Sequence, residues 1–314
     1  MKIMINSEIT SEQSQQIEAI SDSIRLVKPK NSEDTIREIV DTDIVFGGFN
    51  RRLFEHAEQL KWVQVWAAGV DGILFPEFIE SDVILTSAKG FVGTHLADQA
   101  WALILGIIRG IGRSARERTW DNKMSIRLAA WELGERTLGI VGLGGTGIEV
   151  ARRAQGFEMR VIAVDPEPIE APNFVHEIWK MDRFHDLLAE SDIVCICAPL
   201  TPQTERMFND AAFQKMQSHA LLINVTRGKI VDGPALIRAL NDGQIGGAGL
   251  DVTPEEPLPE DNPLWDMSNV IITPHVAGGS PIRMDRTVAL FCDNLERFLV
   301  GKPLLSVIDK QKGY

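Results

Sequence analysis

Short apolar runs alternate with longer polar stretches along the chain, and the spacing of apolar positions switches between strand-like and helical periods. In the first hundred residues KIMIN, IRLVK, DIVFGG, KWVQVWAAG and VILTS are strand-like, with polar helical stretches between them. From Thr94 to Ile111 the apolar residues recur at helical spacing, and a second, more polar helix is expected to run on toward Trp120; both are candidates for a crossover between domains. Leu138 to Val141, apolar and partly β-branched, reads as a buried parallel strand, and Ile148, Val150, Ala151 and Ala154 give the following segment an apolar helical face. Further strands are predicted at 160–164, 193–198, 220–224, 247–252 and 270–273, the last four each preceded by a helix. A final helix over 281–299 stops at Gly301 and Pro303 and leads into LLSVID, a strand-like tail. Following a completed α/β array, that tail most economically packs back on the first domain. The pattern predicts an α/β protein of two Rossmann-like or flavodoxin-like doubly wound domains, one built from residues 1–98 and 284–314, the other from 99–283.

Gly142, Gly144 and Gly147 punctuate the unit TLGIVGLGGTGIEVARRAQGFEMRVIAVD, which reads as strand, turn, helix, strand, acid. Gly142 allows a sharp turn, Gly144 a close backbone approach to a pyrophosphate, and Gly147 close packing of helix on strand. The pyrophosphate then meets a helix N-terminus, where free N–H groups and the dipole favour an anion. Asp165 lies 18 residues beyond Gly147. There a carboxylate accepts hydrogen bonds from a ribose diol and repels a 2′-phosphate, so NAD is expected in preference to NADP.

Composition narrows the class. At 314 residues and 44% hydrophobic content the chain can fill two cores. The start, MKIMINSEITSEQSQQ, lacks an apolar segment behind its single lysine, so no signal peptide is expected, and the longest apolar run, 100–108, is far short of a membrane span. Three cysteines argue against a disulfide framework, and a cytoplasmic protein is expected. Cys195 and Cys197 share one face of a strand, but no further ligand stands at a metal-binding spacing, and they read as core thiols with no metal. A net charge of −12 disfavours nucleic acid and anionic membranes as partners. An anionic substrate would therefore need a local cation.

Three segments follow predicted strands: Asn224-Val225-Thr226-Arg227-Gly228, Asp251 to Pro257, and Thr273 to Gly278. Because ligands gather at carboxyl ends of strands in open α/β sheets, an Arg, a Glu and a His are expected at one sheet edge. Arg227 can hold a carboxylate and its adjacent carbonyl oxygen in a planar fork. His275 can give and take the proton that accompanies hydride transfer. Glu256 beside the imidazole would favour its protonated form and fix its orientation. His56, His95, His176, His185 and His219 lack such company and read as structural or surface residues.

NVTRG, LDVTPEEPLP and TPHVAG, with GLGGTG upstream and PLTPQT between, resemble the D-isomer-specific 2-hydroxyacid dehydrogenase family. AAGVDG, Trp120 with WELGERTLG, and NLERFLVGKPL extend the resemblance over nearly the whole chain. It implies reversible, NAD-dependent hydride transfer between a small 2-oxo acid and its D-2-hydroxy acid, with Arg227, Glu256 and His275 as catalytic triad. It further implies Gly145 and Thr146 at the pyrophosphate, Ala198, Pro199 and Thr204 along the adenosine, and Val225 and Asp251 at the nicotinamide carboxamide. Thr226, Arg227, His275 and Gly278 complete the expected cofactor surroundings. Backbone N–H groups at Gly69 and Val70 are expected to bind the substrate carboxylate from the first domain, across an interdomain cleft, in a homodimer joined through nucleotide-binding domains. The family usually has glutamate where this chain has Asp98. No extra regulatory domain follows the last helix, so serine-pathway feedback control is not expected. Non-catalytic NAD-sensing corepressors and phosphite dehydrogenases share the fold and triad and stand as alternatives; formate dehydrogenases usually carry glutamine at the Glu256 position.

Overall fold

The computed structural model describes all 314 residues and divides them into two compact units, Met1–Val92 with Ser280–Tyr314, and Gly93–Gly279. The divisions fall a few residues ahead of the expected 98/99 and 283/284 boundaries; the first does so because the helix opening at Gly93 belongs wholly to the second unit.

In the first unit the chain runs β1 (Lys2–Asn6), α1 (Ser11–Glu18), β2 (Arg25–Val27), α2 (Ser32–Ile39), β3 (Ile44–Gly47), α3 (Arg51–His56), β4 (Trp62–Gln64), α4 (Pro76–Ile79) and β5 (Ile84–Thr86). Thr10, Asn31 and Asn50 start the first three helices by accepting hydrogen bonds from backbone N–H groups of the first turn. The strands are all parallel, in the order β2-β1-β3-β4-β5. Strand alternation sends Met4, Val45, Val63 and Leu85 to one core and Ile3, Ile44, Phe46 and Trp62 to the other. Both faces are buried, as a parallel sheet requires.

The second unit contains α5 (Gly93–Ile108), α6 (Ile111–Glu117), α7 (Lys123–Ala129), β6 (Thr137–Val141), α8 (Gly145–Ala154), β7 (Arg160–Val164), β8 (Glu177–Trp179), α9 (Phe184–Glu190), β9 (Ile193–Ile196), α10 (Asp210–Phe213), β10 (Leu221–Asn224), α11 (Gly233–Asn241), β11 (Gly247–Leu250) and β12 (Val270–Ile272). Its seven strands are parallel, ordered β12-β11-β10-β9-β6-β7-β8, so the order reverses between β6 and β9. Loops after the strands on either side of that switch point form the usual ligand crevice of such sheets.

Several expectations need amending. The stretch toward Trp120 is not one helix: α6 ends at Glu117, where Arg118 turns left-handed (φ 51°), and Trp120 lies between α6 and α7. Helix α5 packs on α8 and on the β10–β12 side of the second sheet, which makes it a layer of that unit. Edge strand β8 was not foreseen, and a 3-10 turn at Pro263–Trp265 stands where a helix was expected before β12.

After the second unit, α12 (Arg283–Leu299) returns to the first, where Phe291 and Leu295 join the core around Trp62. The tail forms a single antiparallel bridge, Val307 to Thr86, and buries Ile308 against the opposite face. Lys310 secures it by donating to the carbonyl oxygens of Phe78, Ser81 and Val83. No helix is long and apolar enough to cross a membrane.

Candidate active site

The turn after β6 assigns a separate job to each glycine. Gly142 has φ +90°, and a Cβ there would lie 2.8 Å from the Ala198 backbone; at Gly147 it would lie 2.2 Å from the Gly142 carbonyl oxygen. These two glycines let β6, α8 and the end of β9 approach one another. Gly144 is different: a Cβ there would meet nothing within 4 Å. It serves as N-cap of α8 without a side-chain cap, and the first-turn N–H groups of Gly145, Thr146 and Gly147 have no carbonyl partner within the helix. Asp165, directly after β7, is buried; its carboxylate accepts from the N–H of Leu143 at 2.7 Å and of Glu167 at 2.9 Å. It thus shapes the glycine turn while each oxygen retains a lone pair for a ribose hydroxyl. The residues present therefore fit a dinucleotide: an open glycine, an uncapped helix start and an acid at the second strand's end.

Across the switch point, Thr204 draws the chain after β9 into a turn, donating to the Pro199 carbonyl at 2.7 Å and accepting from the Thr201 N–H at 2.8 Å. Ala198 is buried beside Gly142. Cys195 and Cys197 lie side by side, Sγ atoms 3.6 Å apart, buried in the second unit's core. Hydrogen bonding between them and burial push the Cys197 thiol well above its usual range, so it stays a neutral packing group.

The three loops carrying Arg227, Glu256 and His275 follow adjacent parallel strands or the segment just beyond them. Asn224 at the end of β10 holds the NVTRG turn from inside: its Oδ1 accepts from Thr226 N at 3.1 Å and its Nδ2 donates to Arg227 O at 2.9 Å. Val225 and Thr226 are buried; Arg227 is partly exposed and donates through Nη1 to the Thr226 carbonyl. A Cβ at Gly228 would lie 1.8 Å from the Thr253 carbonyl oxygen, so this turn is pressed against the Glu256 loop. Glu256 accepts from Thr253 N through Oε1 at 3.1 Å, and its Oε2 lies 2.8 Å from His275 Nδ1. With the carboxylate as acceptor, Nδ1 carries the proton and Nε2 is left for exchange.

His275 itself has φ +53°, an uncommon backbone state for a residue with a side chain. Asp251 supplies the compensation. Its carbonyl accepts the His275 N–H at 2.8 Å, and its buried carboxylate accepts from Thr273 Oγ1 (2.6 Å), Val276 N (3.0 Å) and Ala277 N (2.9 Å). Gln99 of α5 donates to Thr273 Oγ1 at 2.9 Å, extending the network into the helix layer. Sequence reasoning missed this function of Asp251 and Gln99, since nothing in LDVTP or LADQAW signals which loop a carboxylate or amide will organise. Gly278 follows the loop so held, and Asp98 accepts from Arg153 of α8 at 2.9 Å.

In the first unit, three carbonyls of the segment after β4 are engaged. Trp66 O accepts from Arg283, Ala67 O from Ala88 N and Val70 O from Ile73 N, whereas the N–H groups of Gly69 and Val70 take no part in the chain's own hydrogen bonds. Backbone donors in that state are suited to an anion.

Residues 101–277 match the D-isomer specific 2-hydroxyacid dehydrogenase, NAD binding domain. The chain belongs to the D-isomer-specific 2-hydroxyacid dehydrogenase family. It is 34% identical over 283 residues to a glyoxylate reductase of Korarchaeum cryptofilum, covering 87% of this chain and 85% of that one. Among solved structures it resembles the NADPH-dependent glyoxylate/hydroxypyruvate reductase of Sinorhizobium meliloti in complex with NADP and sulfate (TM-score 0.83, 26% identity, 100% of this chain and 99% of that one). It also resembles the D-mandelate dehydrogenase of Rhodotorula graminis (TM-score 0.86, 25% identity, 98% and 97% covered). This family member is an oxidoreductase that uses a nicotinamide cofactor, and the glycine turn and parallel sheet described above form its dinucleotide-binding domain.

Proposed function

We propose that this dehydrogenase reduces a small 2-oxo acid, glyoxylate or a near relative, to its D-2-hydroxy acid with NADH in preference to NADPH. The observation that carries the reading is the 2.8 Å pairing of His275 with Glu256 on loops that Asp251 and Asn224 hold in place. The nicotinamide supplies the hydride. Arg227 binds the carboxylate and the reacting carbonyl oxygen. His275 delivers its Nε2 proton to the developing alkoxide, and Glu256 stabilises the positively charged imidazole before that transfer. Thr226, Val225 and Gly278 serve the cofactor by shaping the backbone beside these groups. Asp165 sets the preference for NADH.

The working unit is a homodimer. Helices α6 and α7 contribute no buried residue, and Ile111, Met124 and Leu128 on them and Trp120 in the link between them are exposed, a span of apolar surface that a second copy would cover. Three cysteines in 314 residues are too few for a disulfide framework and suit a cytoplasmic setting. The deciding experiment is turnover of glyoxylate, hydroxypyruvate and pyruvate with NADH and NADPH side by side, with mass by light scattering. Absence of turnover on all three refutes the substrate assignment, and equal use of NADPH refutes the cofactor preference.

A further inference from the structure

Helix α5 lies close on β11: Gly249 has no side chain, and a Cβ there would stand 2.8 Å from the Leu103 Cβ. Gln99 precedes Leu103 by four residues, so it shares that face one turn nearer the helix start, about 6 Å away. Asp251 follows Gly249 by two residues, roughly 7 Å along the chain, and the pairing of Leu250 with Ile272 sets Thr273 beside it. The helix therefore runs against the strands and brings Gln99 level with the carboxyl ends of β11 and β12. There its Nε2 donates to Thr273 Oγ1 at 2.9 Å.

Three side chains meet at that hydroxyl, and they can share its proton in one way. The Asp251 carboxylate is buried, takes donors from Thr273, Val276 and Ala277, and can only accept. The Thr273 hydroxyl has a single proton, and at 2.6 Å from Asp251 Oδ1 the proton goes there. Its oxygen is then an acceptor for Gln99, which fixes the amide with its nitrogen inward. The Thr273 backbone belongs to the sheet, its N–H donating to the Leu250 carbonyl at 2.9 Å, so the hydroxyl orients the carboxylate and not the reverse. From the carboxylate the order passes to the Val276 and Ala277 N–H groups, which close the turn beyond His275. Pro274 has no N–H to add, and His275 stands at φ +53°, a conformation that costs energy for a residue with a Cβ.

We infer that Gln99 is a positioning residue for His275: its amide directs the one Thr273 proton to Asp251, and the oriented carboxylate holds the turn that brings the imidazole to Glu256. The inference rests on the assignment of His275 as the acid. Gln99 makes no contact with the reacting atoms in this scheme. A glutamate in its place would be an acceptor and compete with Asp251 for the same proton, whereas a methionine would fill the space without donating.

The test compares Gln99→Met, Gln99→Glu, Thr273→Val, the double variant Gln99→Met with Thr273→Val, and His275→Ala in the full-length enzyme. The readouts are single-turnover hydride transfer to saturating glyoxylate by stopped flow, NADH affinity by fluorescence, and hydrogen exchange of the Val276 and Ala277 amides in the cofactor-free protein. One neutral hydrogen bond is equivalent to about fivefold, so Gln99→Met should slow hydride transfer and speed exchange of both amides by about that factor. Gln99→Glu should lose more, about twentyfold, because it takes the Thr273 proton and sets a second negative charge beside Asp251; it carries the test if the methionine variant does not fold. NADH affinity should stay within about threefold in both. Once Thr273→Val has removed the hydroxyl, Gln99→Met should cost less than about twofold further, since its partner is gone. Hydride transfer and amide exchange at wild-type rates in both Gln99 variants overturn the inference. So does a loss in the double variant as large as the two single losses together, or a fall in NADH affinity equal to the loss of rate. Hydride transfer at the wild-type rate in His275→Ala overturns the acid itself, whatever the Gln99 variants show.

Discussion

Alanine at Gly144 and alanine at Gly147 insert the same methyl group three residues apart, and the structure assigns them opposite effects. At position 147 the new Cβ would stand 2.2 Å from the Gly142 carbonyl oxygen, so α8 must move more than 1 Å from β6 to reach ordinary contact. Overpacking against backbone costs about 1–3 kcal/mol, and for a unit of this size each kcal/mol lowers the melting temperature by roughly 2–4 °C. At position 144 the methyl meets no protein atom, and φ −73° with ψ −162° suits alanine, so the free enzyme should keep or slightly gain stability, by about 0.4–1 kcal/mol. The methyl would instead occupy the approach to the pyrophosphate. If it weakens NADH tenfold, then at a concentration one hundred times the wild-type Kd the stabilisation falls from about 2.7 to about 1.4 kcal/mol. Differential scanning calorimetry with and without NADH reads both effects. A Gly144→Ala enzyme that binds NADH as the wild type does, or a Gly147→Ala enzyme as stable as the wild type, would refute this division of labour.

His275→Ala should lower kcat by about 10²–10⁴ with little change in NADH affinity, and stopped-flow hydride transfer at wild-type rate would remove the proposed acid. Glu256→Gln keeps the side chain's shape but replaces the carboxylate that accepts from His275 Nδ1, so kcat for reduction should fall while NADH affinity holds; a wild-type kcat would break the pairing. Asp251→Asn keeps shape but cannot accept from Thr273, Val276 and Ala277 together, and should cost about 2–4 kcal/mol, seen as a loss of melting temperature accompanied by a fall in kcat. Asp165→Ala should narrow the NADH-to-NADPH ratio of kcat/KM. Asp192 is pushed up by burial, but the hydrogen bonds from Thr137 N–H, His219 and Arg136 outweigh this and hold it below the ordinary carboxylate range. Its contribution is therefore present above the unfolded carboxylate pKa and lost as pH falls through the folded value; Asp192→Asn should destabilise the enzyme at pH 7 and converge with wild type in acid.

The elements legible in the sequence were those with strong local signals. Thr137–Val141, Arg160–Val164 and the glycine turn follow from apolar runs and from positions where only glycine fits, and each strand lies at those residues. Edge strand β8 escaped because Glu177 and His176 break its apolar pattern, and an edge needs only one covered face. The break at Arg118 escaped because a left-handed arginine has no sequence signature of its own. At the site, residue types announced the Arg, Glu and His, whose chemistry is carried by the side chain. The work of Asn224, Asp251 and Gln99 lies in which backbone groups they reach, and that is fixed only when distant strands are brought into register.

The first unit is sewn from the two ends of the chain, and this orders its birth. Its sheet lacks Phe291 and Leu295 on one face and Ile308 on the other until the final segment has been made. At roughly 5–20 residues per second, ribosomes need about 10–40 s to pass from Val92 to Ser280, during which the first five strands wait with half-covered apolar faces. Meanwhile the dinucleotide-binding unit, contiguous in sequence, has everything it needs to fold. A released chain that ends before α12 should therefore display one finished domain with its capacity for the cofactor and one that still recruits chaperones.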